Sequence, residues 1–161
     1  MDKIGARICA ALAGALLLTV PAWSQEIPAA AAPPLTVVDK GTTTYVIYHD
    51  PEAPASVKTA AQELQRVIKQ ASGVEIPLVA TPAARMICLG DTAAARQASL
   101  SADGLADDAF RLVTRGPTVF ILGKDSRTGE LGWGGNENRG TLYGTYAFLE
   151  RTVGVRWLLP D

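Results

Sequence analysis

The residues best suited to chemistry lie in a glycine-rich segment of the last third of the chain. Trp133 stands between glycines, and Asn136, Glu137, Asn138 and Arg139 follow it closely. A tryptophan flanked by glycines can present a flat ring. The amide, carboxylate and guanidinium groups beside it supply the donors and acceptors that sugar hydroxyls use. This composition indicates carbohydrate binding as one interpretation of the loop.

The same loop also has a structural interpretation. Asn138 is placed to be the N-cap of the helix predicted after it, and Arg139 is placed to pair with Glu137. The glycine spacing does not follow the GxGxxG pattern in the register after a strand that a dinucleotide site requires. The sequence leaves ligand contact and structural support open as alternatives for this loop.

No complete catalytic or metal-binding set accompanies the loop. A glycosidase needs two carboxylates at a fixed separation, a hydrolytic triad needs a nucleophile with His and an acid, and a metal needs three or four ligands. One His and two Cys exclude a Cys/His zinc cage. His49 with Asp50 is interpreted as a polar cap at a strand end, and Asp107 with Asp108 as a solvated acidic turn. We therefore assign no catalytic residue, metal or cofactor, and leave open whether the chain is part of an enzyme.

Length and charge narrow the class of protein. The 161 residues suit one domain and are too few for a complete (β/α)8 barrel, which takes about 250. The chain has 48% hydrophobic and 19% charged residues, which is the composition of a folding globular chain. The 15 basic and 16 acidic residues form no basic run, which argues against nucleic acid as a partner.

The N-terminal segment 1–24 has the three parts of an export signal. Lys3 and Arg7 precede an apolar stretch over 8–20, and Ala22-Trp23-Ser24 supplies a small-residue site that predicts cleavage before Gln25. The apolar stretch is shorter than the about 20 residues that span a bilayer. We expect a secreted or periplasmic protein with no membrane attachment after cleavage; an uncleaved anchor is the alternative.

The expected domain plan has three parts: a signal peptide over 1–24, an Ala/Pro linker over 25–34, and a folded α/β domain over 35–161. Cys9 is expected to be removed with the signal peptide. Cys88 lies in an apolar run and is predicted to be a buried small hydrophobe.

The spacing of apolar residues predicts the helices and strands that position the loop. Apolar residues at three- and four-residue steps predict a helix that begins near Pro54 and ends at Gly73. A short helix capped by Asp91 and a second long helix ended by Gly154 follow. β-Branched and apolar runs predict strands over 35–38, 43–48, 75–79, 85–89, 110–114, 119–122 and 155–159, of which the first pair and the 110–122 pair form hairpins. This order predicts a two-layer α/β sandwich with a mixed sheet and helices on one face.

Two stretches resemble a known family. These are NRGTLYGTYAFLE over 138–150 and GVRWLLP over 154–160, supported by AAQEL over 60–64, Gly73-Val74, and ICLG over 87–90. Together they are similar to the small α/β domain that precedes the catalytic barrel in α-glucuronidases and β-N-acetylhexosaminidases. The resemblance covers 35–161.

The resemblance implies a non-catalytic accessory domain, because the family's catalytic residues lie on the following (β/α)8 barrel. That barrel is missing from this chain and would begin where the sequence ends, so no catalytic residue is carried over. The resemblance favours an N-terminal fragment of a secreted α-glucuronidase-type glycoside hydrolase acting on plant or other polysaccharide. The alternatives are a free-standing secreted carbohydrate-binding module and the N-terminal domain of a β-N-acetylhexosaminidase.

An apolar surface would separate these alternatives. Tyr143, Tyr146, Phe148, Trp157 and Leu158 are more large apolar residues than one small domain needs to show. If they form an exposed patch, the patch implies a partner that covers it.

Overall fold

The computed structural model describes residues 35–127 and 137–157. In this part of the chain the strands are β1 Val46–His49, β2 Leu78–Val79, β3 Met86–Leu89, β4 Phe110–Arg115 and β5 Thr118–Gly123, and the helices are α1 Ala55–Ser72, α2 Ala93–Gln97 and α3 Gly140–Thr152. The strands form one sheet in the order β2-β1-β3-β5-β4, with β4 antiparallel to β5 and the other pairs parallel. The predicted two-layer α/β sandwich with a mixed sheet is confirmed.

The two long helices cover one face of the sheet. α1 packs on β1 and β3, α3 packs on β4 and β5, and the two helices contact each other. The apolar stripe of α1 is buried as its periodicity predicts, with Leu64 fully enclosed. Gly73 ends the helix in the left-handed conformation, at φ 74°, and its N–H donates to the carbonyl of Lys69. A glycine adopts this conformation without a steric penalty.

The opposite face of the sheet is covered by α2 and the chain that follows it. Every residue of β3 and β5 is buried, which is typical of central strands enclosed on both faces. Ala95 of α2 and Leu100 pack with Cys88 and Phe120, whose neighbours along the strands point to the long helices. The short helix therefore lies on the other side of the sheet from α1 and α3, so the prediction of helices on one face holds for the two long helices and not for α2.

The predicted first hairpin is wrong, although its turn forms. Asp39 and Thr42 exchange backbone hydrogen bonds around Lys40 and Gly41, which both have positive φ. Residues 35–38 form no strand, and β1 pairs instead with β2 and β3 in parallel. Because β1 occupies the interior of the sheet, both of its edges are taken by strands from later in the chain.

Three further boundaries differ from the sequence prediction. The N-cap of α2 is Thr92, whose hydroxyl accepts from the N–H of Ala95, and not Asp91. β2 has two residues where five were predicted, because the chain before it contains Pro77, which has no N–H to donate. Residues 155–157 form no strand, and 158–159 lie outside the described residues. The second hairpin, β4 with β5, is confirmed.

A close approach of two glycines joins the end of β5 to the start of α3. A Cβ on Gly123 would lie 2.2 Å from the carbonyl carbon of Gly140, and one on Gly140 would lie 2.3 Å from the carbonyl oxygen of Ala109. Real Cβ atoms do not come this close to backbone, so both positions require glycine. In the part of the chain that the structure describes, no helix is long and apolar enough to cross a membrane.

Candidate functional site

A cavity of about 660 Å³ lies at the carboxyl ends of β1, β3 and β5. Residues at the ends of these strands or just after them line it, together with Val57, Arg96 and the loop 102–105: 50, 52–54, 89–92, 123–125 and 127. We refer to it as the carboxyl-edge cavity. Its walls are loop and helix-start residues held in place by the strands below them.

The topology explains why a cavity forms there. From β1 the chain enters α1 on one face of the sheet, and from β3 it enters α2 on the opposite face. Where neighbouring parallel strands send their connections to opposite faces, a crevice opens beyond their carboxyl ends. In open α/β sheets this crevice is the usual place for a ligand.

Asp125 is a half-buried carboxylate in the wall of the cavity. Its Oδ1 accepts from the hydroxyl of Ser56 at 3.0 Å and from the backbone N–H of Thr141 at 3.2 Å, and its Oδ2 accepts from the Thr141 hydroxyl. Burial raises the pKa of Asp125, and the hydrogen bonds from Thr141 and Ser56 oppose that rise. The residue joins the starts of α1 and α3 to the end of β5.

Charged side chains surround the opening. Asp91 pairs with Arg96 at 2.9 Å, and Lys124 pairs with Asp107 at 2.6 Å just outside the lining. The hydrogen bond and charge of the Lys124 ammonium lower the pKa of Asp107. Among the described residues, no three His, Cys, Asp or Glu side chains group closely enough to hold a metal ion.

Of the predicted binding residues, the structure describes 137–139. Trp133 and Asn136 lie outside the described residues, so their role as sugar contacts stays a prediction. Glu137 and Arg139 are among the described residues. The carboxylate of Glu137 lies 3.9 Å from the guanidinium of Arg139, as the structural interpretation predicts. Asn138 is not a helix cap: the cap position of α3 is Arg139, and it makes no side-chain capping bond.

Asn138 instead fastens the base of the loop. Its Oδ1 accepts from the N–H of Asp108 at 3.2 Å, and its backbone N–H and carbonyl bond to the side chain and backbone of Ser126. Asp108 in turn accepts the N–H of Arg139 at 2.7 Å. The acidic pair 107–108 is therefore more than a solvated turn, because both carboxylates bind neighbouring chain.

His49 and Cys88 have the structural roles that the sequence predicts. His49 is half-buried at the end of β1, and its Nδ1 lies 2.8 Å from the carbonyl of Asp50. Cys88 is fully buried, and burial raises the pKa of its thiol to about 11. A thiol with that pKa is a poor nucleophile at neutral pH.

The comparisons with known proteins bear on the fold. No family model and no curated protein matches the chain. Among solved structures, the chain is similar to a family GH115 4-O-methyl-α-glucuronidase, BtGH115A, which is described as having specificity for decorated arabinogalactans. The TM-score is 0.50 at 17% identity, over 70% of this chain and 14% of that one. The chain thus shares a fold with a small part of a much longer glycoside hydrolase.

Two large aromatic residues are exposed, one on α3 and one shortly after its end. Tyr143 is 41% exposed and Trp157 is 43% exposed, and the Trp157 ring meets that of Tyr146 edge-on at 4.7 Å between centroids. Tyr146 and Phe148 are half-buried. We call Tyr143, Tyr146 and Trp157 the aromatic surface; none of them lines the carboxyl-edge cavity.

Proposed function

We propose that this chain is a non-catalytic accessory domain of a secreted glycoside hydrolase of α-glucuronidase type, and that a (β/α)8 catalytic barrel is its partner. The observation that carries the proposal is the shared fold with part of BtGH115A. The resemblance of segments 138–150 and 154–160 to the domain before such barrels supports it.

The aromatic surface is the face that we expect to contact the barrel. Exposed tyrosine and tryptophan are enriched where proteins meet, and Tyr143 and Trp157 are each more than two-fifths exposed. Covering such side chains with a partner removes their apolar area from water, which favours association.

The test uses the nearest barrel-coding region downstream of this gene. We expect its product, co-expressed with the full chain, to co-elute with it in size-exclusion chromatography. Tyr143→Ser and Trp157→Ser should each weaken the complex, whereas Arg115→Ser, at the exposed β4–β5 turn, should not. The absence of a barrel-coding region, or a barrel that does not bind, would contradict the proposed partner.

The non-catalytic role has its own test. We expect the purified chain to hydrolyse neither aryl glucuronides nor aryl N-acetylglucosaminides. Turnover that disappears on Glu137→Gln would overturn this part of the proposal and make the loop an active site.

Export is tested by the mature N-terminus. We expect the chain collected outside the cytoplasm to begin at Gln25, which intact mass spectrometry reads directly. A mass that retains residues 1–24 would contradict cleavage of the signal.

A further inference from the structure

We propose that the carboxyl-edge cavity binds a neutral polyhydroxylated ligand, a sugar unit of a glycan. This function is separate from barrel packing, because the cavity and the aromatic surface share no residue. It also differs from the predicted loop site, of which the described residues Glu137, Asn138 and Arg139 do not line the cavity.

Size and position make the cavity a binding site for a small molecule. The cavity has a volume of about 660 Å³. Sites for small molecules range over roughly 300–1000 Å³, so one or two sugar rings fit. The cavity occupies the crevice where the connections after β1 and β3 separate to opposite faces of the sheet. The position of this crevice follows from the chain topology and does not depend on the side chains in the wall.

The hydrogen-bonding groups of the wall suit hydroxyl groups. Glu52, Asp103 and Arg127 line the cavity, and their side chains have no hydrogen bond or ion pair with any described residue. Carboxylates only accept hydrogen bonds and a guanidinium only donates them, whereas a hydroxyl does both. A ring carrying several hydroxyls can therefore satisfy both kinds of group at once.

Charge selects against the other polar ligands. Five carboxylates and three cations line the cavity: Asp50, Glu52, Asp91, Asp103 and Asp125 against Arg96, Lys124 and Arg127. The excess of carboxylates repels phosphates and uronates. The cations among these carboxylates weaken their attraction for amines, and no three described His, Cys, Asp or Glu side chains group to hold a metal ion. This arrangement favours a neutral ligand.

The part of the cavity wall around Asp125 and Gly90 is held in place by hydrogen bonds within the protein. Asp125 joins the first turns of α1 and α3 through Ser56 and Thr141, and Gly90 bonds to the carbonyl of Ile121 across the end of the sheet. Walls that are already ordered reduce the entropy lost on binding.

The experiment titrates the full chain with neutral cello-, xylo- and galacto-oligosaccharides and follows backbone amides by NMR. We expect shifts at Gly90, Gly104 and Gly123 with at least one of these probes. Asp103→Asn and Arg127→Gln should each weaken that binding roughly tenfold, the loss expected for a hydrogen bond to a charged group. Both side chains are exposed, so the variants should fold normally. Asp39→Asn, on a turn outside the cavity, is the matched control and should bind as the unmodified chain does.

Other outcomes of these titrations overturn the proposal. Failure of all neutral oligosaccharides to bind, or binding of glucuronate, inorganic phosphate or spermidine alone, contradicts the neutral class. Binding that Trp133→Ala abolishes and Asp103→Asn leaves unchanged places the sugar at the loop instead. A barrel that does not bind the chain leaves this inference standing, because the aromatic surface takes no part in it.

Discussion

The backbone N–H of Thr141, in the first turn of α3, donates a hydrogen bond to Oδ1 of Asp125, 16 positions earlier in the chain. The same oxygen accepts from Ser56 in the first turn of α1. Helix N-termini carry unpaired N–H groups and a partial positive charge, which a carboxylate satisfies. One side chain therefore supports the starts of both long helices.

Removing this carboxylate should destabilise the domain. We expect Asp125→Ala to lower the free energy of unfolding by about 1–3 kcal/mol, because buried donors on Ser56 and Thr141 lose their acceptor. Urea denaturation at neutral pH measures the change. The control is Asp103→Ala, which removes an exposed carboxylate from the cavity wall. A surface change of this kind should alter the free energy of unfolding by no more than about 0.5 kcal/mol.

The pH dependence of that stability has a definite sign. Burial raises the pKa of folded Asp125 above its ordinary value of 3.8, so the folded protein binds a proton more tightly than the unfolded chain. This contribution is complete below pH 3.8 and is lost as pH rises through the raised pKa. We expect the stability advantage of the unmodified chain over Asp125→Asn to shrink between about pH 3 and pH 7. An advantage that grows with pH would show that the hydrogen bonds outweigh burial.

Asp107 should show the opposite trend. Its hydrogen bond and charge interaction with Lys124 lower its pKa, so its contribution is present above the ordinary value and is lost as pH falls through the lowered one. The pair is exposed, and its effect should be small and weakened by salt. Denaturation of Asp107→Asn across the same pH series, at low and high salt, measures it.

The close approach of Gly123 and Gly140 predicts strong intolerance of a methyl group. Their new Cβ atoms would meet backbone atoms that cannot rotate away. Gly123→Ala and Gly140→Ala should therefore each cost about 3 kcal/mol or more. Gly144→Ala is the comparison: its Cβ would meet side-chain atoms of Ile121 and Phe110 at 3.0 and 3.1 Å. We expect a smaller loss there, and equal losses at all three positions would contradict the distinction.

Local patterns in the sequence predicted the elements that depend on nearby residues. The stripe of α1 with its glycine end and the β4–β5 hairpin both follow from contacts within a few residues. Local patterns did not predict the partners of β1, because these are residues 78–79 and 86–89. The nearer segment 35–38 has a similar composition and was predicted to pair with it. Strand pairing depends on which segment the rest of the fold places beside a strand.

The candidate site was also predictable only in part. Composition indicated the loop residues as candidates, but no sequence pattern indicates Asp125, since its hydrogen-bond partners lie 69 and 16 positions away. One signal was present: acidic residues follow each of three buried runs, at Asp50, Asp91 and Asp125. In a parallel sheet these positions meet at one edge, but this required knowing that β1, β3 and β5 are parallel.

Two hydroxyls of the core should respond oppositely to removal. The Tyr45 hydroxyl is buried and has no hydrogen-bond partner among the described residues, whereas that of Thr141 accepts from Gly123 and donates to Asp125. Tyr45→Phe should raise the free energy of unfolding by up to about 1 kcal/mol, since an unsatisfied polar group returns to water on unfolding. Thr141→Val should lower it by about 1–3 kcal/mol. Loss of stability in Tyr45→Phe would show that the phenol has a partner in solution.

The buried thiol provides a measure of opening of the sheet. Cys88 lies in β3 with no exposed surface, its Sγ is 3.1 Å from the hydroxyl of Thr92, and burial raises its pKa to about 11. A thiol reagent needs both access and the thiolate, so the folded chain should supply neither at neutral pH. In a Cys9→Ser background, where Cys88 alone can react, we expect labelling in native buffer to proceed only through unfolding and to accelerate in Asp125→Ala. Fast labelling that is equal in both proteins would mean that the α2 side of the sheet opens without unfolding of the long helices.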